Sequence, residues 1–482
     1  MHILEIPFML PQHARDFIFE VPMTILVHTV ILAAGQGTRM KSALPKVLHP
    51  IGGKAMLGHV LDAVADIGAQ ASHVVHGHGA EQLRQWFAQE RAKDASVNWV
   101  LQAEQLGTGH AVLQALPKIP DDALVLVLYG DVPLISVETL QKLIAAAGKG
   151  LAILTVELDA PTGYGRILRN KTGAVIGIVE ENDASARQKK ITEVNTGLLA
   201  VPAKRLKAWL KKVKNDNARG EYYLTDIVQL AVKDRARVTA VAAASADEVE
   251  GVNDRSQLAR MERVYQRKQA ERLMREGVQL ADPARFDLRG MLLAGKDVKF
   301  DIGVIIEGVC EFGDNVSIGP YCVIKNAKLG NGTVVEAHSV LDGVSGGADL
   351  HIGPFARLRP GTELGDGAKV GNFVETKKAR VGKNSKINHL SYVGDAELGT
   401  DVNIGAGTIT CNYDGVNKHQ TVIGDGAFIG SNSALVAPVT IGAGAIIGAG
   451  SVVGKNAPPG ELTVARAKQV TIPGWKRPTK KA

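Results

Sequence analysis

The chain has 482 residues, a formal net charge of +7, 45% hydrophobic and 22% charged residues, and three cysteines. That length exceeds one ordinary core and predicts two or three domains of a soluble globular protein. The sparse, odd set Cys310, Cys322 and Cys411 excludes a disulfide framework and a zinc spacing and suits the cytoplasm; no stretch is long and apolar enough to span a bilayer, and no basic–aromatic run suggests a nucleic-acid track.

Residues 1–22 hold Glu5, Asp16, Glu20 and three prolines and lack the basic start and apolar run of a signal peptide. They read as a disordered extension or an over-called start, with Met23 opening onto the first strand. The strand Thr29–Leu32 then runs into Ala33-Ala34-Gly35-Gln36-Gly37-Thr38-Arg39-Met40. An apolar strand ending in a glycine-rich turn lets backbone N–H groups approach anionic oxygens. The turn lacks the Gly-Lys-Ser/Thr of a Walker A loop, and Met40 stands at the third glycine position of a dinucleotide fingerprint. Arg39 and Lys46 beside the turn suit a triphosphate whose departing pyrophosphate develops charge; an ordinary turn with surface cations is the plainer alternative.

Helix 56–66, strand 73–76, helix 81–89, strand 97–101 and the apolar strand 124–128 follow. This alternation predicts an α/β domain with a mostly parallel sheet and helices on both faces. Ligands of such sheets bind beyond strand carboxyl ends, where Gly35–Met40 and Tyr129-Gly130-Asp131 fall. Asp131 is there a natural Mg²⁺ ligand or a turn cap. His73, His76 and His78 are explained by strand alternation and a glycine-rich turn rather than by a metal. Gly163-Tyr164-Gly165-Arg166, Glu180-Glu181-Asn182 and Asn195-Thr196-Gly197 read as loops of a β-rich insertion that suit a hydroxyl-rich ligand, or as surface turns. Thr225 or Asp226 starts a helix. From Arg255 to Gly277 an amphipathic pattern predicts one helix, a rigid arm between domains.

From Phe300 to Val453 an apolar anchor recurs every sixth residue, as in Ile423, Ile429, Leu435, Ile441, Ile447 and Val453. Earlier runs include Phe300, Ile306, Phe312, Ile318, Ile324 and, after phase slips, Val335, Ile352, Val370 and Ile387. A second apolar residue often stands two before the anchor, as with Val298, Val304, Val316 and Val439. Period six fits neither an amphipathic helix nor a simple strand; it predicts a hexapeptide-repeat parallel β-helix of roughly eight or nine coils, about 18 residues each, stacked about 4.8 Å apart. A sandwich of short strands is the alternative. General crossover rules favour right-handed connections, and the spacing itself leaves the hand open. Several polar residues exceed what a scaffold needs: Arg359, the run Asn372–Lys378, His389, Asn403 and the loop 410–418. Lys377 and Arg359 are one coil apart, and cations beside an imidazole suit a phosphate ligand; a corner histidine satisfied by a carbonyl is the alternative for His389. The last residues, Lys476, Arg477, Lys480 and Lys481, read as a solvated basic tail.

The string Leu32–Met40 with Pro45-Lys46-Val47-Leu48 resembles the signature of sugar-phosphate nucleotidyltransferases. Gln102–His110 and Tyr129–Leu134, with the hexad column and Gly405–Gly415 behind them, narrow it. From about residue 25 onward the chain resembles the bacterial bifunctional N-acetylglucosamine-1-phosphate uridyltransferase/glucosamine-1-phosphate acetyltransferase family. The resemblance implies a left-handed β-helix, a homotrimer formed through it, and cytoplasmic synthesis of UDP-N-acetylglucosamine from glucosamine 1-phosphate, acetyl-CoA and UTP. It implies an extension at 1–23, a uridyltransferase domain at 24–251, a helical linker at 252–277, an acetyltransferase β-helix at 278–456 and a tail at 457–482 that contributes to the CoA site. It assigns Leu32, Ala33, Ala34, Gly35, Lys46, Gln102, Gly107, Thr108, Tyr129 and Gly130 to the nucleotide, Arg39 and Lys46 to the phosphates, and Asp131 and Asn253 to Mg²⁺. Gly165, Glu180 and Asn195 then hold N-acetylglucosamine 1-phosphate. In the other half it implies His389 as general base and Arg359, Glu375, Lys377, Tyr392 and Asn403 for glucosamine 1-phosphate. Ala406, Asn412, Tyr413, Ser431, Ala449 and Arg466 are implied for acetyl-CoA and its acceptor site.

Overall fold

The computed structural model describes residues 25–478 apart from His78 and Lys93, together with Lys480. The expectation for residues 1–23, and His78 of the histidine group, fall outside them. The described residues divide into two units, one ending at Met261 and the other beginning at Glu262.

In the first unit, strand Val27–Leu32 is buried along its whole length and pairs in parallel with Ala71–His76 on one side and Leu124–Tyr129 on the other. The sheet runs Val238–Ala242, Leu151–Glu157, Glu193–Pro202, Leu124–Tyr129, Val27–Leu32, Ala71–His76, Val97–Leu101. It is mixed: Glu193–Pro202 lies antiparallel between two of its neighbours. Alternate residues feed two separate cores, because successive strand side chains point to opposite faces. Val27, Ile31, Leu124, Leu126 and Leu128 meet helices Met56–Asp66 and Val137–Ala147 on one face. Val30, Leu32, Val125 and Val127 meet helices Thr108–Ala115, Ala203–Leu210 and Asp226–Lys233 on the other. The expected helix 81–89 spans Ala80–Glu90.

Two local expectations change. Asn195-Thr196-Gly197 is no loop but a bulge inside Glu193–Pro202, where the register against Leu151–Glu157 shifts between Asn195 and Leu199. Arg166 is not a loop residue; it opens strand Arg166–Arg169 and is 1% exposed. Its guanidinium pairs with Glu181 at 2.7 Å. His73 and His76 are buried, and His73 stacks on His28, which the sequence pattern did not single out.

In the second unit every anchor named above is buried. The rungs form an eleven-stranded parallel ladder on one face, from Gln279–Leu280 to Leu462–Thr463, and two further ladders that share long strands at the corners. The column therefore begins before Phe300 and ends after Val453. Register explains the phase slips: Phe300 pairs with Ile318, Ile318 with Val335, and Ile404 with Ile429, so successive coils there take 18, 17 and 25 residues. Besides the valines already named, the position two before an anchor holds Cys310, Cys322, Thr333, Ser339, Ser385, Ser433 or Ser451, all buried. Small side chains fit that narrow corner, and the hydroxyls of Ser385, Ser433 and Ser451 donate to nearby carbonyls, as Ser451 Oγ does to Gly448 O at 2.6 Å. Helix Arg255–Arg275 crosses the division between units; its Ala270 and Leu273 belong to the column's core.

Candidate active sites

The carboxyl ends of Val27–Leu32 and Leu124–Tyr129 lie side by side because the strands pair in register, Leu32 against Tyr129. Gly130 N–H donates to Leu32 O at 3.0 Å, and Val252 N–H to Asp131 O at 2.9 Å. These two bonds bring three distant segments to one cavity of about 640 Å³. It is lined by Leu32, Ala33, Ala34, Gly35, Arg39, Lys46, Gln102, Gly107, Thr108, Tyr129, Asp131 and Asn253. At its centre the Lys46 ammonium bonds the Asp131 carboxylate and, at 3.0 Å, Asn253 Oδ1. Asp131 is thus no turn cap.

Neighbouring residues hold this floor. Gln105 Nε2 donates to Ala34 O at 2.6 Å, fixing the glycine turn. Gln257 Oε1 accepts from Asn253 N–H at 2.8 Å. Leu106 O and Tyr222 O bracket Gly107–Gly109: Tyr222 N–H donates to the first and Gly109 N–H to the second, each at 2.8 Å. Gly107 has φ +110°, and a Cβ there would stand 2.8 Å from Tyr222 O, so only glycine fits. Gln102 and Thr108 spend part of their polar capacity internally, on Gly107 O and on Leu224 N–H.

A second cavity of about 280 Å³ adjoins the first through Thr108, Tyr129, Tyr164 and Thr196, and carries Gly165, Glu180 and Asn195. Helix Asp226–Lys233 starts where expected, but the Thr225 hydroxyl does not cap it; it donates to Glu180 Oε1 at 2.8 Å. Gly197, φ +86°, lets the Tyr129 ring close on the bulge, within 2.5 Å of where a Cβ would stand. Burial first, then the Asp131 and Glu180 carboxylates, push the Tyr129 phenol far above its ordinary pKa, so it stays a neutral hydroxyl at the junction of the cavities. Burial, then Glu180, Asp216 and Asp183, push the Asp226 carboxyl up to about 6.

On the column, Asn372 pairs in register with His389, and Asn372 Oδ1 lies 2.7 Å from His389 Nδ1. With the Nδ1 proton donated there, Nε2 keeps its lone pair. Ala406, Ser431 and Ala449 descend the same corner below His389, each two past an anchor, linked by Gly407 N–H to His389 O and Asn432 N–H to Ala406 O. Arg466 closes the line by donating to Ala449 O at 2.6 Å. Around the corner, Arg357, Glu375 and Tyr392 are in register, Arg359 pairs with Glu375 at 2.8 Å, and Lys377 lies two past Glu375. Asn403 pairs with Lys386 rather than His389, so it stands apart from the imidazole along the rung. The 25-residue coil accommodates the 412–419 loop, in which Asp414 bonds His419 at 2.7 Å and Lys418 covers the Tyr413 ring at 4.3 Å. Asn412 is buried and donates to Asp395, while Tyr413 is exposed.

Gln105 and Gln257 act in these sites without having been singled out, and Thr225 and Asn372 were named without the partners they take. Gln105 stood inside a quoted motif and Gln257 one helical turn past Asn253; Thr225 and Asn372 gave no local signal of their partners.

The chain matches the MobA-like NTP transferase domain over residues 29–191 and the bacterial transferase hexapeptide (six repeats) over 420–455. The column is accordingly the left-handed β-helix of that repeat class. The bifunctional protein GlmU of Alkalilimnicola ehrlichii is 62% identical over 93% of this chain and 96% of its own length. Those of Marinobacter nauticus and Aromatoleum aromaticum are 60% and 56% identical, each over 94% of this chain and 99% of its own length. With both halves matched in order over nearly its whole length, this chain belongs to the family of the bifunctional GlmU proteins.

Proposed function

We propose that the chain makes UDP-N-acetylglucosamine in two transfers. The column acetylates glucosamine 1-phosphate with acetyl-CoA, and the first unit joins the product to the uridylyl group of UTP, releasing pyrophosphate. The observation that carries this reading is the presence, in one chain, of two separate constellations: Lys46 with Asp131 and Asn253 at strand carboxyl ends, and His389 with an anchored Nδ1 on the hexad corner.

In the acetyl transfer, His389 Nε2 takes a proton from the glucosamine amine. The amine nitrogen forms a bond to the thioester carbonyl carbon, the carbon–sulfur bond breaks, and CoA leaves as a thiol once protonated. Asn372 is the positioning residue that keeps the base in the required tautomer. Arg359, Lys377, Tyr392 and Asn403 bind the sugar phosphate, with Glu375 near the amine. Ala406, Ser431, Ala449 and Arg466 take the CoA arm, and Asn412 and Tyr413 line the acceptor end.

In the uridylyl transfer, a phosphate oxygen of N-acetylglucosamine 1-phosphate attacks the α-phosphorus of UTP, and the bond to pyrophosphate breaks. No protein nucleophile is required; positioning and charge neutralisation do the work. The Leu32–Gly35 turn, Gln102, Gly107, Thr108, Tyr129 and Gly130 seat the nucleotide. Gly165, Glu180 and Asn195 seat the sugar, with Glu180 oriented by Thr225. Arg39 and Lys46 meet the phosphate charge that grows on the leaving group. Asp131 and Asn253 fit Mg²⁺: their oxygens already converge on one cation, the Lys46 ammonium, and one carboxylate plus an amide, completed by phosphate and water, is a set this ion takes. Bound there, it would neutralise triphosphate charge.

The reading assigns 24–251 to uridylyl transfer, 252–277 to a linker, and 278–456 with the tail to acetyl transfer. It also makes the protein a cytoplasmic homotrimer built on its β-helices. The exposed files Phe428, Ile446, Leu462 and Tyr321, Phe355, Phe373 support an interface there. Thiol release from acetyl-CoA upon adding glucosamine 1-phosphate tests the first transfer. Pyrophosphate formed from UTP and N-acetylglucosamine 1-phosphate tests the second. Absence of either sinks that half of the reading.

A further inference from the structure

Lys46 is placed unusually for a residue assigned to phosphate. It is mostly enclosed: the Lys46 and Asp131 side chains are 13% and 14% exposed. It bonds both Asp131 and Asn253, the two oxygens offered as metal ligands. Asn253 is held in that pose from behind, with its N–H on Gln257 and its Nδ2 on Gly251 O at 3.2 Å. The Lys46 ammonium thus lies between the two oxygens.

We infer that Lys46 is a built-in stand-in for the divalent cation, so that the free enzyme binds metal weakly and the ion is admitted together with the nucleotide. The inference rests on Asp131 and Asn253 being the metal ligands. A divalent ion at those two oxygens would lie within a few ångströms of the ammonium, and two cations so close in a partly dry site repel. The ammonium must leave as the ion enters. In the free protein that move leaves Lys46 without an anion. A triphosphate in the cavity supplies one, so nucleotide and metal assist each other's entry. Lys46 then serves twice: as placeholder before binding and as phosphate partner after it. The placeholder also keeps Asp131 paired in the free protein and so spares an unpaired, largely buried carboxylate.

The test uses Mn²⁺ as the probe, read by electron paramagnetic resonance on the full-length protein without nucleotide, so that no activity is measured. Wild type is expected to bind Mn²⁺ weakly. Lys46→Met, which vacates the place and keeps the chain length, is expected to bind it at least tenfold more tightly. Lys46→Arg, which keeps the cation, stays weak and separates a charge effect from mere disturbance. If Lys46→Met binds Mn²⁺ no better than wild type, while Asp131→Ala in the Lys46→Met background abolishes what binding there is, the stand-in role is overturned and the ligand assignment survives. If Asp131→Ala leaves the binding of Lys46→Met unchanged, the ligand assignment itself fails.

Discussion

The two halves of this chain build their candidate sites in opposite ways. In the first unit three segments distant in sequence converge on cavities at strand ends, where Lys46 meets Asp131 and Asn253. On the column several candidates lie along one corner, placed by register: His389 is exposed, and Ala406, Ser431 and Ala449 follow one per coil. The first arrangement lies within one unit. The second supplies a wall without an opposite side, which is the physical case for neighbouring columns completing it. A cavity depends on tertiary convergence; a solenoid edge depends only on register.

The largest effects should separate the halves. His389→Ala is expected to lower acetyl transfer by roughly 10²–10⁴-fold, the usual worth of a general base, and to leave uridylyl transfer unchanged. Asp131→Ala should do the reverse. Assaying each purified variant for both thiol release and pyrophosphate checks this. A variant that loses both activities would break the comparison, because it would mean the two sites are not independent.

That contrast also governs what could be read from sequence. The anchors were legible because a β-helix repeats one environment, and one misplaced residue per coil would flip a side chain outward. The phase slips were visible, but whether they meant a 17-residue coil or a loop was not, since that depends on pairing between coils. In the first unit the glycine turn and Asp131 were legible from position at strand ends. Thr225 was read as a helix start, because its tie to Glu180 joins residues 45 apart. The bulge at Asn195–Gly197 was read as a loop for the same reason: polar residues around a glycine look alike in both, and only the register against Leu151–Glu157 distinguishes them. His28 was passed over because its partner His73 sits on the neighbouring strand.

Next in size is the column's core. Ile429→Ala empties an inward position that is fully buried, and such truncations cost roughly 2–5 kcal/mol. Calorimetry should show the transition of the second unit falling while that of the first stays in place. Equal shifts of both would contradict independent cores.

The first unit has a pH weakness with no counterpart among the buried anchors. His73 is 1% exposed and touches His28 at 3.1 Å; burial first, then His28 and Lys118, lower its pKa to about 4. The unfolded chain takes up that proton near 6.5, so stability is fully present above pH 6.5 and is lost as pH falls toward 4. At about 1.4 kcal/mol per unit, the loss approaches roughly 3 kcal/mol. His73→Leu should flatten the slope of the first unit's melting temperature between those pH values. Asp226 acts with the opposite sign: its raised carboxyl makes ionisation costly in the folded state, so Asp226→Asn should raise the melting temperature at pH 7.

The smallest effect should come from the column's charged face. Glu311 and Lys328 pair across adjacent coils at 3.0 Å, yet Lys328 is 69% exposed and Glu311 42%. Solvent screens such a pair, and ordering two long side chains offsets much of the attraction. Lys328→Ala should therefore move the column's stability by no more than ~0.5 kcal/mol, roughly four- to tenfold below the anchor truncation. If salt titration or the variant itself revealed a cost comparable to Ile429→Ala, the column's register would have to be set by its surface ladder as well as its core. Neutrality would confine the specificity of coil stacking to the inward residues, leaving the outer faces free to carry charge, a binding corner or an interface without loss of fold.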